Sequence, residues 1–90
     1  MKMYKVIIDP KAQKQLKKMD YMQAKIINKW IKNNLVGCSN PYFSGKRLKG
    51  NLNDFWRYRV GNYRILTIIN DDEIIINVVK IAHRQSVYDN

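Results

Sequence analysis

Cysteine, histidine and acidic side chains are all scarce in this chain. One cysteine, Cys38, in 90 residues excludes an internal disulfide and any cysteine-built metal centre. One histidine, His83, gives no histidine–carboxylate spacing for zinc. Seven Asp and Glu, scattered along the chain, are too few for a two-metal nuclease. Neither a metal nor a cofactor is therefore expected. Apolar runs are short, and none approaches the roughly 20 residues of a membrane span. The segment 1–8 is too brief and too broken by lysine for a signal peptide. A cytoplasmic protein with no membrane partner is the expectation. Gly-rich phosphate loops are missing, as is any Ser or Cys nucleophile paired by motif with a base. There are no repeats, low-complexity segments or linkers, so residues 1–90 read as a single domain.

What the chain does have is positive charge. Seventeen Lys and Arg against seven Asp and Glu leave a formal charge of +10. Charge of that size calls for an acidic partner, either nucleic acid or an acidic protein.

The cations are ordered most clearly between Lys46 and Ile69. A basic loop there leads into Trp56-Arg57-Tyr58-Arg59-Val60, then Gly61-Asn62, then Tyr63-Arg64-Ile65. A period of two puts Trp56, Tyr58 and Val60 on one strand face and Arg57 and Arg59 on the other. Gly and Asn suit the tight turn of a hairpin. One sheet face should therefore pack a core, with Trp56 and Tyr58 in it, while the other displays guanidinium groups. RNA phosphate is the leading partner for such a row.

Around this hairpin the pattern predicts a first strand at 4–8. A helix follows, with Asp9 as N-cap and Pro10 at its first position, burying Ala12, Leu16 and Met19. A second helix starts at Asp20, with Gln23 placed as in a capping box, and buries Ile27, Trp30 and Ile31 up to about Asn34. Residues 33–50 read as loop, 55–60 and 63–69 as strands, and 74–82 as the last strand after an acidic hairpin tip at Asn70-Asp71-Asp72. The order is β-α-α-β-β-β. It predicts an α+β fold with two N-terminal helices on one face of a small, mainly antiparallel, four-stranded sheet.

A basic and phenolic set remains for chemistry: Lys46, Arg47, Lys49, Arg57, Arg59, Arg64, His83, Arg84 and Tyr88. RNA carries its own nucleophile, the 2′-hydroxyl. Cleaving it takes a base for that hydroxyl, cations for the charge gathering at phosphorus, and an acid for the departing 5′-oxygen. Arginine serves the second need through its planar, bidentate fork. Tyr88 and His83 are the groups able to carry a proton, and nearby cations would lower a tyrosine from its usual value of about 10.

Three segments resemble the RelE/ParE toxin superfamily, and the RelE-type branch in particular. They are Lys49-Gly50, the run from Phe55 to Arg64, and Ala82-His83-Arg84-Gln85-Ser86-Val87-Tyr88. They follow the family pattern in order over about the last half of the chain. The resemblance implies a RelE-like fold and a type II toxin: a ribosome-dependent, metal-independent mRNA endoribonuclease working in the A site by 2′-hydroxyl attack. It also implies a cognate antitoxin, contacts to 16S rRNA beside the message, and operator DNA bound only through the antitoxin. By position, Arg64 matches the arginine that stabilises the transition state and Arg84 the arginine near the leaving group. Tyr88 matches the tyrosine that stacks on or activates the substrate. Arg57 and Arg59 stand where the best-known RelE toxins carry lysines. Arginine stays protonated, so the base is sought at Tyr88 or, ranked lower, His83. Arg59, Arg64, Arg84, Tyr88 and His83 are thus the expected catalytic group, with Lys46, Arg47, Lys49 and Arg57 binding RNA. The alternatives are a ParE-like inhibitor of DNA gyrase and a catalytically inactive, antitoxin-binding member of the family.

Overall fold

The structure, a computed structural model, describes residues 2–52 and 54–84. Strand β1 (Lys5–Ile8) leads into helices α1 (Pro10–Lys18) and α2 (Tyr21–Asn34). Strands β2 (Lys46–Arg47), β3 (Trp56–Val60), β4 (Tyr63–Asn70) and β5 (Ile75–His83) follow. Pro10 does open α1, with Asp9 before it, but the Asp9 side chain makes no capping bond. Instead Gln13 Nε2 donates to the Ile8 carbonyl at 2.7 Å. Asp20 is the working cap, accepting from the backbone N–H groups of Met22 and Gln23 at 3.1 and 3.4 Å and so satisfying orphan donors of the first turn.

The sheet has five strands in the order β1-β5-β4-β3-β2, one more than the four expected. The extra strand lies inside the stretch read as loop. Lys46 and Arg47 pair antiparallel with Arg57 and Trp56, and two basic residues are too short a run to show a period. β3, β4 and β5 pair antiparallel, whereas β1 runs parallel to β5. Parallel neighbours need a crossover, and here everything from α1 to β4 supplies it.

Ala12, Ile27 and Ile31 from the helices, and Leu35 just after α2, bury into one cluster with Tyr58, Val60, Ile65, Ile76, Val78 and Ile81 of the sheet. Each large aliphatic so enclosed contributes about 1.5–3 kcal/mol. Both helices therefore lie on one sheet face, as the alternation of β3 requires. Trp30 and Trp56 are only half-buried at the margin of this core.

The turn between β3 and β4 has positive φ at Gly61 (59°) and not at Asn62, the pattern of a hairpin turn with glycine in first place. The acidic tip between β4 and β5 is a fastening point. Asp71 accepts a hydrogen bond from the Tyr4 hydroxyl at 2.7 Å and one from the Tyr42 hydroxyl at 2.9 Å. These two bonds hold the Asp71 carboxyl below its usual value and, through the same hydrogen bond, push the Tyr4 hydroxyl up to about 12.

Candidate functional site

Cross-strand register gathers the arginines on the face opposite the helices. Arg59 of β3 stands directly across from Arg64 of β4, and Arg64 in turn from Ala82 of β5. A second row, two residues along β3, runs Lys46, Arg57, Leu66, Lys80 across four strands. Arg84, two residues on from Ala82, is tied to the β3–β4 turn by its backbone N–H, which donates to the Asn62 carbonyl at 2.7 Å.

The row is less open than the alternation predicts. Arg57 is 8% exposed and Arg64 only 4%, whereas Lys46, Arg59 and Arg84 are exposed. Arg64 lies on a central strand, flanked on both sides, and a long side chain there is enclosed by its neighbours. A guanidinium stays charged even when enclosed. The site is thus two inner cations with outer ones around them. Cations held in a partly dehydrated place act more strongly on an anion than the same groups in water.

The other expected residues separate. Arg47 faces the opposite way from Lys46 and lies over the Trp56 ring, 5.6 Å from its centroid, a cation–π contact. Lys49 is exposed in the loop before the short 3-10 turn Gly50–Leu52. His83 pairs with Tyr63 and packs edge-on to its ring, centroids 5.5 Å apart. Tyr63 in turn stands opposite the core residue Val60, and this register puts His83 on the helix side of the sheet, away from the arginines. The expected Tyr88 lies outside the described residues. Lys80 was missed from the sequence. A β-bulge shifts the β4–β5 register between Leu66 and Thr67, so simple alternation along β5 does not reveal that Lys80 lines up with Arg57.

Among the described residues no group of three or more His, Cys, Asp or Glu is placed to hold a metal ion, and no helix is long and apolar enough to cross a membrane. What the face can do is hold a dense negative charge: a phosphodiester, or the doubly charged phosphorus centre formed when one is attacked.

Known proteins resemble this chain in sequence and in fold. Residues 6–88 match the family described as the ParE toxin of the type II toxin–antitoxin system parDE. Toxin RelE3 of Methanocaldococcus jannaschii is 48% identical over 44 residues, 49% of this chain and 47% of that protein. The match thus spans about half the length of this curated relative. In the RelBE2 toxin–antitoxin complex of Mycobacterium tuberculosis, one chain superposes with a TM-score of 0.83 at 25% identity, covering 93% of this chain and 94% of that one. The RelB–RelE antitoxin–toxin complex of Methanococcus jannaschii contains a chain 30% identical, with a TM-score of 0.56, covering 92% and 95%.

Proposed function

Because the chain belongs to the ParE toxin family of the RelE/ParE superfamily, and is a toxin of a type II toxin–antitoxin system, we propose that it acts as a ribosome-dependent, metal-independent mRNA endoribonuclease. The observation that carries this reading is the register of Arg59 against Arg64 on the sheet face opposite the helices, with the Arg84 backbone tied to Asn62 at the adjoining turn. An anion lying between two opposed arginines is held by two guanidinium groups at once.

In the reaction, the 2′-hydroxyl of one nucleotide attacks the adjacent phosphorus in line. The bond to the 5′-oxygen breaks, leaving a cyclic phosphate and a 5′-hydroxyl. Arg64 and Arg59 stabilise the charge on the non-bridging oxygens, a role worth ~10²–10³ in rate for one preorganised donor. Arg84 stabilises the charge on the leaving 5′-oxygen, which takes its proton from water. Tyr88 is the base, since His83 faces the helix side. Lys46, Arg57 and Lys80 steady the strand on one side, with Lys49 and Arg47 further along the basic loop.

A cognate antitoxin is the expected partner, in keeping with the toxin–antitoxin complexes among the structural neighbours. The 30S ribosomal subunit with its message and 16S rRNA is the substrate platform, and operator DNA is reached only through the antitoxin. The family description as a ParE toxin favours gyrase inhibition as a second reading. Purified protein added to translating ribosomes, with primer extension on the message, decides between them. Cleavage within A-site codons supports the nuclease. Intact messages together with inhibited gyrase supercoiling would support the second reading.

A further inference from the structure

Beside the arginine face, a cleft of about 390 Å³ opens at the free edge of β3, and the reaction described above makes no use of its Trp30 and Asn34 wall. Its walls come from three places. Trp30 and Asn34 belong to α2, Gly45 and Lys46 to the loop entering β2, and Tyr58 and Arg59 to β3. The cleft exists because β2 pairs only with Trp56 and Arg57, so the outer edge of β3 from Tyr58 onward has no strand partner among the described residues. Gly45 keeps the loop close to that edge. At φ 85° a Cβ there would meet the Arg57 carbonyl at 2.5 Å and Trp56 Nε1 at 2.6 Å.

The chemistry of the walls is mixed in a particular way. Trp30 is half-buried and packs its ring at 5.4 Å and 54° to Tyr58, giving a fixed aromatic surface at the cleft. Asn34 donates through Nδ2 to the Trp30 carbonyl at 2.9 Å, which fixes its amide and leaves Oδ1 as an acceptor. Lys46 and Arg59 are exposed cations with no ion pair among the described residues. A flat apolar surface, an oriented amide and two cations, in a space within the usual range for small ligands, match a nucleotide: base on Trp30, phosphate between Lys46 and Arg59. An acidic peptide would use the cations but has no need of a fixed ring and amide.

The geometry points to this cleft as a nucleotide-binding subsite, which takes a base of the RNA strand next to the phosphate held by Arg59 and Arg64. The inference rests on the RNA reading of the arginine face, since Arg59 is shared by both. Stacking on an aromatic ring accepts any base, and the Asn34 amide adds discrimination among them.

The test is a titration of the full ¹⁵N-labelled chain with each of the four ribonucleoside 5′-monophosphates, and separately with inorganic phosphate, followed by NMR. Mononucleotides should move the Trp30 indole N–H and the backbone amides of Asn34 and Gly45. Phosphate alone should move only signals around Lys46 and Arg59. Trp30→Leu should weaken nucleotide binding about tenfold, the usual order for one stacked base. Asn34→Asp, at an exposed position that does not threaten the core, should weaken it several-fold by placing a carboxylate near the phosphate, and it decides the matter if Trp30→Leu does not fold. Shifts confined to the Arg64 and Arg84 region would overturn the proposal, as would unchanged affinity in folded variants. So would an acidic peptide that moves the Trp30 signal when mononucleotides do not. The titration uses no ribosome, so the two readings fail separately. Binding at Trp30 by a protein that leaves messages intact removes the nuclease and keeps the cleft. Cleavage without any Trp30 shift does the reverse.

Discussion

Arg59 and Arg64 occupy directly opposed positions on β3 and β4, one exposed and the other 4% exposed. Opposed residues in an antiparallel pair have Cβ atoms about 4.5–5.5 Å apart, so the two guanidinium groups start from neighbouring points on one face. An anion lying between them would be bound by both groups at once.

Two effects should follow in a single experiment. Phosphate should raise the melting temperature of the wild type more than chloride does at equal ionic strength, because an anion bound only to the folded state stabilises it. In Arg59→Met that extra shift should vanish. An Arg59→Met protein still stabilised by phosphate as the wild type is would place the anion elsewhere.

For catalysis, Arg64→Met keeps most of the buried volume and removes the charge. Cleavage on ribosomes should fall ~10²–10³-fold, with a folded circular-dichroism spectrum. Lys80→Met, in line with Arg57, should weaken cleavage less, since it steadies the strand. Normal growth arrest by Arg64→Met would count against the assignment.

The base can be identified by paired variants. Tyr88→Phe removes only a hydroxyl and should lower the chemical step by roughly 10²–10⁴, the usual worth of a positioned proton transfer, with ribosome binding largely kept. His83→Gln should cleave nearly as the wild type does, because the imidazole packs on Tyr63 on the helix side. The opposite pattern in single-turnover rates would make His83 the base.

Stability should respond to pH through the Tyr4–Asp71 bond. The Asp71 carboxyl is held below its usual 3.8 by its bonds to Tyr4 and Tyr42. That contribution is present above about pH 4 and is lost as falling pH protonates the group. The Tyr4 hydroxyl is raised from 10.0 to about 12 by the same bond. Its contribution is complete below about pH 10 and disappears as pH climbs toward 12. Melting curves of wild type and Tyr4→Phe should therefore converge at both extremes and differ most between pH 5 and 9, as bracketed by about those two values. A constant difference across the whole range would show that the bond does not set the pH dependence.

Control by the antitoxin should show in the association rate. An acidic segment steered to a surface of net charge +10 should associate more slowly as salt rises. Such a segment is expected to be disordered when free. Reversing the exposed Lys46, Arg59 and Arg84 to Glu should slow association further in stopped-flow measurements. Neutralisation that survives the triple reversal in a folded toxin would mean the segment binds elsewhere.

Much of this protein was legible from neighbours along the chain. Alternation in Trp56–Val60 is a property of extended backbone, whose successive side chains must point to opposite faces, so the split between Tyr58 in the core and Arg59 outside needed no tertiary information. Asp20 could be read as a cap because a carboxylate three residues from a backbone N–H meets it in any helix start. The tertiary structure decided whatever depends on partners far apart in sequence. Among these are the parallel docking of β1 on β5, the enclosure of Arg64, and the Tyr4–Asp71 bond across 67 positions. The bulge that aligns Lys80 with Arg57 and the face to which His83 turns belong with them. Each is set by which strands meet and how closely they pack, and local patterns of charge and period carry no term for that.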